Sequence, residues 1–180
     1  VGDLKQTTPV VKRMNTDIGD INWYQGYKKC KKLSGTNTNV KTSMIWGTQY
    51  DQVLNWLIKS GEKTPLDINK GSVAWGNYSD VEFEYYTNTS KETATKNLGS
   101  STRIASGAYE GAKANNIYDL AGNVLLWTLE ASSSGSGDYR HDRGGSDDIS
   151  GTYYYASYRY IDSPYINYYA TGFDSALYIK

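Results

Sequence analysis

Apolar residues return at helical spacing twice in the first third of the chain. Ile21, Trp23, Tyr24, Tyr27, Cys30 and Leu33 mark one amphipathic helix, with Asp20 as its N-cap and Ser34-Gly35 as its stop. Tyr50, Val53, Leu54, Leu57 and Ile58 mark a second, which follows Ser43-Met-Ile-Trp46, takes Thr48 as its cap and ends at Gly61. Lys28, Lys29, Lys31 and Lys32 fall off the first apolar stripe and are expected in solvent. Residues 34–43 are polar and read as a loop. The pattern predicts two Trp-rich helices packed on a sheet.

Strand signals are shorter. Val10-Val11, between Pro9 and Lys12-Arg13, predicts an entering strand or arm within residues 1–19. Val73-Ala-Trp75 and Val81-Glu-Phe-Glu-Tyr-Tyr86 predict two more, the second alternating apolar and acidic positions. Residues 87–107 show no period. From Asn116 the chain passes through a turn into an apolar run that ends at Trp127-Thr128. A Gly/Ser loop at 132–137 and Arg143-Gly-Gly-Ser146 follow, and Ala176-Leu-Tyr-Ile179 predicts a last strand. Gly122 and Asn123 supply the backbone freedom for a sharp turn into a strand. Trp127 is large enough to anchor a shared core, and Arg143 brings a charge that needs a partner.

Composition narrows the function classes. The 180 residues suit one domain. Lys+Arg and Asp+Glu are both 19, so no basic excess points to nucleic acid. No apolar run approaches the ~20 residues that cross a bilayer, so no membrane insertion is expected. The start at Val1 is expected to belong to a trimmed C-terminal domain of a longer protein. One cysteine and one histidine, Cys30 and His141, leave no intramolecular disulfide and no multi-His metal site. Cys30 lies on the apolar stripe and reads as a core residue. Asp138, Asp142, Asp147 and Asp148 offer oxygen ligands of the kind calcium takes, but a solvated acidic loop is the expected reading. Asn77-Tyr-Ser79 and Asn88-Thr-Ser90 fit glycosylation sequons. Tyrosine is the outlier: of 18, ten fall at or after Tyr139.

Four motifs in order, Asn116-Ile-Tyr-Asp-Leu-Ala-Gly-Asn-Val-Leu-Leu-Trp-Thr128, Arg143-Gly-Gly-Ser146, Ala156-Ser-Tyr-Arg159 and Gly172-Phe173, resemble the formylglycine-generating-enzyme/sulfatase-modifying family. The resemblance implies an α+β C-type-lectin-like fold of that subtype over a single domain, 1–180. It would have two helices on short antiparallel sheets, and much irregular loop. The departures count against the family's chemistry. Residues 116–180 hold no cysteine, Leu126 stands where the family has Glu, and Asp174 where it has Arg. The related three-His iron site has only His141 to draw on.

The chain also resembles the variable proteins of diversity-generating retroelements, which keep this fold without its chemistry. In them, copying errors at adenines turn Asn codons into Tyr, Ser, Asp, Ile, Thr or Gly codons. The segment 147–169 is rich in that set. The resemblance implies a ligand surface formed by Asp147, Asp148, Ser150, Tyr153, Tyr154, Tyr155, Tyr158, Tyr160, Asp162, Tyr165, Asn167, Tyr168 and Tyr169. Ala156, Ser157, Arg159, Ser163 and Pro164 would be scaffold between them. Strand alternation would turn about half of the eight tyrosines outward. The expected partner is a protein or glycan on a cell or virus surface, met by an extracellular or virion-displayed protein without a cofactor. A formylglycine-generating-type enzyme relative and an undiversified lectin-like adhesion domain are the alternatives.

Overall fold

The computed structural model describes residues 19–133 and 138–180. The arm expected around Val10-Val11 and residues 134–137 of the Gly/Ser loop therefore lie outside the described residues. Asn22 opens helix α1 (Trp23–Lys32) with a capping box: its side chain accepts from the Gln25 N–H, and the Gln25 side chain accepts from the Asn22 N–H. The cap is Asn22, not Asp20, which sits at φ 58° with its N–H donated to the Tyr169 carbonyl. Lys29 is buried beside Gly26 and Cys30, while Lys28, Lys31 and Lys32 are exposed.

Part of the expected loop is strand β1 (Val40–Met44). Helix α2 (Gly47–Lys59) follows, capped at Trp46 rather than Thr48, with the Trp46 N–H donated to the Gln49 side chain. A third helix, α3 (Pro65–Asn69), has Thr64 and Asp67 in a reciprocal capping box with proline at its start. Val73-Ala-Trp75 is no strand. Ser72–Ala74 form a 3-10 turn, and the Ser72 hydroxyl and Trp75 indole both donate to the Asp67 carbonyl. Strand β2 (Phe83–Tyr86) pairs antiparallel with β3 (Thr93–Lys96), and β4 (Lys113–Ala114) with β5 (Ile117–Tyr118).

The central sheet comprises β6 (Leu125–Ala131), β7 (Arg140–Arg143), β8 (Arg159–Asp162) and β9 (Thr171–Phe173), in the order β8-β7-β6-β9. Its pairs are antiparallel except β6–β9, which is parallel. The last strand, β10 (Ser175–Ile179), pairs antiparallel with β1. The result is an α+β fold. The first half of β6, Leu125 to Thr128, is buried on both faces and separates two cores. Leu126 packs with Tyr50, Leu54 and Leu57 of α2, while Trp127 packs with Ile21, Trp23, Cys30 and Met44. Two indoles lock the second core: Trp127 donates to the Ile21 carbonyl at 3.1 Å and Trp23 to the Thr128 carbonyl at 2.7 Å.

The turn before β6 depends on Gly122 at φ 73°, where a Cβ would lie 2.1 Å from the Asn77 carbonyl oxygen. Asn123, also left-handed, is fully buried. Its amide oxygen accepts from Asn77 Nδ2 and the Ile104 N–H, and its Nδ2 donates to the Ile104 carbonyl. Asn77 is itself fully buried, so the first sequon is not open to glycosylation in the fold; Asn88 is half-buried. Replacing Asn123 with Ala strands these buried groups and should cost about 3 kcal/mol in urea denaturation. A loss below ~1 kcal/mol would contradict this role.

Candidate ligand surface

The segment 147–169 leaves β7 through Arg143-Gly-Gly-Ser146, forms a loop, returns as β8 and turns again into β9. Its anchors are mostly main-chain groups. The Arg143 side chain, fully buried, donates from Nε to the Tyr158 carbonyl at 3.1 Å and from Nη2 to the Ser157 carbonyl at 3.3 Å. The same guanidinium pairs with Asp51 of α2 at 2.5 Å and Glu130 of β6 at 3.4 Å, and lies 4.8 Å from the Tyr50 ring centre. The Tyr50 hydroxyl lies 3.1 Å from the Ala156 carbonyl, and Ser72 Oγ accepts from the Ala156 N–H. Asp80 takes the Gly151 N–H and the Ser150 hydroxyl. Burial raises the Asp80 carboxyl, and the hydrogen bonds from Ser150, Gly151 and Thr152 outweigh it, so its pKa ends below the usual range. Gly145, at φ 77°, lets the loop close in: a Cβ there would lie 2.4 Å from the Tyr154 carbonyl oxygen.

The side chains of the segment divide by burial. Tyr153 (71% exposed), Tyr165 (65%), Tyr169 (45%) and Tyr160 (37%) face solvent. Tyr154, Tyr155, Tyr158 and Tyr168 are half-buried, so all eight reach the surface and none is sealed inside. Tyr154, Tyr155, Tyr158 and Tyr160 form one cluster with contacting ring centres 4.9 to 6.0 Å apart: Tyr158 meets Tyr154 and Tyr155 edge-on, and Tyr160 is tilted against Tyr154. Tyr168 and Tyr169 meet edge-on at 5.0 Å, Arg103 lies over Tyr169, and Tyr165 leans on Tyr24 of α1. Asn167 is exposed and bridges to Asn22 and the Asp20 carbonyl. Asp162 is half-buried and accepts the Ser163 N–H.

Three predicted ligand residues are hydrogen-bonded within the fold, one of them fully buried. Asp147 is 1% exposed and takes the Ser101 hydroxyl, so it leaves the surface set. Ser150 is half-buried and turned to Asp80. Asp148 is half-buried between the Ser146 and Tyr168 hydroxyls. Ile161 (42% exposed) and Ile166 (51%) join the surface, although the sequence reading left them out. Isoleucine belongs to the same substitution set as the neighbouring tyrosines, and that was the available signal. Of the expected scaffold residues, Ala156 and Pro164 are buried, Ser157 and Ser163 are half-buried, and Arg159 pairs with Asp51 and Glu130.

The acidic residues do not form the expected solvated loop. Asp142 is fully buried in β7, opposite Tyr160 of β8, and Asp147 is buried too. Among the described residues no three of His, Cys, Asp or Glu gather to hold a metal ion. His141 turns its Nδ1 to the Tyr160 carbonyl at 3.1 Å. Cys30 is a core residue whose thiol burial pushes up to about 12.

Neither Asp142 carboxyl oxygen has a hydrogen-bond partner among the described residues. Burial, then repulsion from Asp162, push its pKa to about 8. An unfolded chain ionises it near pH 4. The fold therefore binds one proton more than the unfolded chain across that window, and stability falls as pH rises from about 4 to about 8. Asp142→Asn should match the parent's melting temperature near pH 4 and exceed it near pH 7. Parallel melting-temperature profiles for the two proteins would refute this.

No family profile matches the sequence, and no curated protein is similar to it. Solved structures are. The chain superposes on Treponema denticola variable protein 1 with a TM-score of 0.57 and 17% identity, over 89% of this chain and 69% of that one. It superposes on the protein described as "Crystal Structure of CarF" with a TM-score of 0.52 and 12% identity, over 92% of this chain and 68% of that one. At these identities the likeness concerns architecture: the chain has a C-type-lectin-like fold, the one expected from its motifs.

Proposed function

We propose that the chain is a non-catalytic ligand-binding domain, the variable protein of a diversity-generating retroelement in a phage or bacterium. It is displayed on a cell or virion surface and meets a protein or glycan through residues 148–169. One observation carries the reading: the segment is pinned to the frame mainly by main-chain groups, while all eight of its tyrosines reach the surface. A loop held this way can change its side chains and keep its path. The fold shared with Treponema denticola variable protein 1 supports it further.

Tyrosine suits the task. Its ring covers much area at low conformational cost and its hydroxyl satisfies polar partners, as in antibody paratopes. The isoleucines add apolar contact, and Asn167 and Asp162 add hydrogen-bonding groups. Central aromatic anchors of such surfaces each cost roughly 2 kcal/mol or more of binding when truncated.

Two observations test the reading. The encoding genome should carry a reverse-transcriptase gene and a near-copy of the DNA for the tail, differing from it only at adenines. A genome lacking both would leave an undiversified adhesion domain. In the protein, changing Tyr153, Tyr160, Tyr165 and Tyr169 together to Ala should lower the melting temperature by no more than about 5 °C. Loss of the folding transition would show that these rings hold the fold together, contrary to the proposal.

A further inference from the structure

A concave site lies outside the tail. It is a cleft of about 470 Å³ between α1, the outer face of the β1–β10 ribbon, the start of α2 and the β6–β7 hairpin. That size suits one small organic molecule. No described lining residue belongs to segment 147–169, so the cleft is a separate site from the tail surface.

Its chemistry is one-sided. Lys31, Lys41 and Arg140 line it, with no carboxylate among the described lining residues, although the whole chain carries no net charge. Two of the cations are set in place on aromatic faces. The Lys31 ammonium lies 4.5 Å from the Tyr27 ring centre and the Arg140 guanidinium 4.8 Å from that of Trp23. Trp23 and Tyr27 stack on each other, 5.1 Å apart and 8° from parallel, and the Trp23 indole is tied to the Thr128 carbonyl. The cationic wall therefore stands on a rigid aromatic base. Arg140 Nε, buried, has no acceptor among the described residues.

Two more aromatic rings flank the wall and are open. Trp46 is 52% exposed, and Tyr178 is 36% exposed with its hydroxyl linked to the Gln49 side chain. An exposed Trp beside clustered cations fits a ligand that stacks a flat face and presents a negative group.

We propose that this cleft binds a small ring-bearing anion, stacked on Trp46 and Tyr178, with its carboxylate or phosphate met by Lys31, Lys41 and Arg140. A uronic acid and a nucleoside monophosphate share that chemistry.

The test follows the tryptophan indole N–H resonances of the intact chain at low ionic strength, with the Trp46 signal assigned by Trp46→Phe. Glucuronate and uridine monophosphate are the two probes; glucose, uridine and inorganic phosphate are the controls. At least one probe should shift the Trp46 signal at concentrations of about 10 mM or below, and the tighter one names the ligand source. The uncharged controls and inorganic phosphate should each bind at least about tenfold more weakly. The double variant K31A/K41A, both side chains exposed, should keep the parent's melting temperature and lose at least about tenfold in affinity. Trp46→Ala should weaken the probes and leave any phosphate binding unchanged. No shift from either probe, a control that binds as tightly, or full affinity in K31A/K41A would each overturn the proposal.

Discussion

The structure turns on one buried charge. The Arg143 guanidinium has no exposed side-chain surface, and so large a desolvation is tolerable only where every face of the ion is met. Asp51 and Glu130 supply the counter-charge, and the Tyr50 ring covers it. The carbonyls of Ser157 and Tyr158 take two of its N–H groups. Those partners come from α2, β6 and the tail, so one residue of β7 joins the helical layer, the sheet and the candidate ligand surface. Arg159 reaches the same two carboxylates from the solvent side and closes the cluster where β8 begins.

A division of labour follows from that geometry. The frame grips the tail at carbonyls and N–H groups, through Arg143, Tyr50, Ser72 and Asp80. Main-chain groups are the same whatever the side chain. The tyrosines are then free to present their rings, which pack edge to face on one another. Three tail side chains that turn inward, Asp147, Ser150 and Asp148, are short and polar and finish the wiring of the frame, while Ala156 joins the core and Pro164 is buried. In the frame itself, Asp142 of β7 is the expensive feature: it is buried opposite Tyr160 of β8 with no hydrogen-bond partner among the described residues.

Much of the fold was legible because the relevant signals are local. The apolar stripes of α1 and α2, the turn at Gly122-Asn123 and the last strand all come from short-range periodicity or special backbone needs. Caps were placed less well, since Asn22 and Asp20 offer equivalent side chains and only the Gln25 reciprocity separates them. Helix α3 carried its own signature in Thr64-Pro-Leu-Asp67, which went unread. Strand β3 had none, because its Thr, Ala and Lys side chains gain their pattern only from pairing with β2. For the surface, the Tyr-rich segment stood out by composition. The inward turn of Asp147 did not, because it depends on Ser101, a partner far off in sequence. The basic aromatic cleft was equally hidden, assembled from residues between Trp23 and Tyr178 that share no motif.

The central claim is that the tail is held by its main chain and by the frame, so that its outward side chains are interchangeable. The most direct measurement is protease resistance across two displayed libraries. One randomises the outward positions Tyr153, Tyr160, Ile161, Tyr165, Ile166 and Tyr169; the other randomises the anchors Tyr50, Ser72, Asp80 and Arg143. The account predicts that most members of the first library resist proteolysis as the parent does and that most members of the second do not. Comparable loss of resistance in both libraries would contradict it.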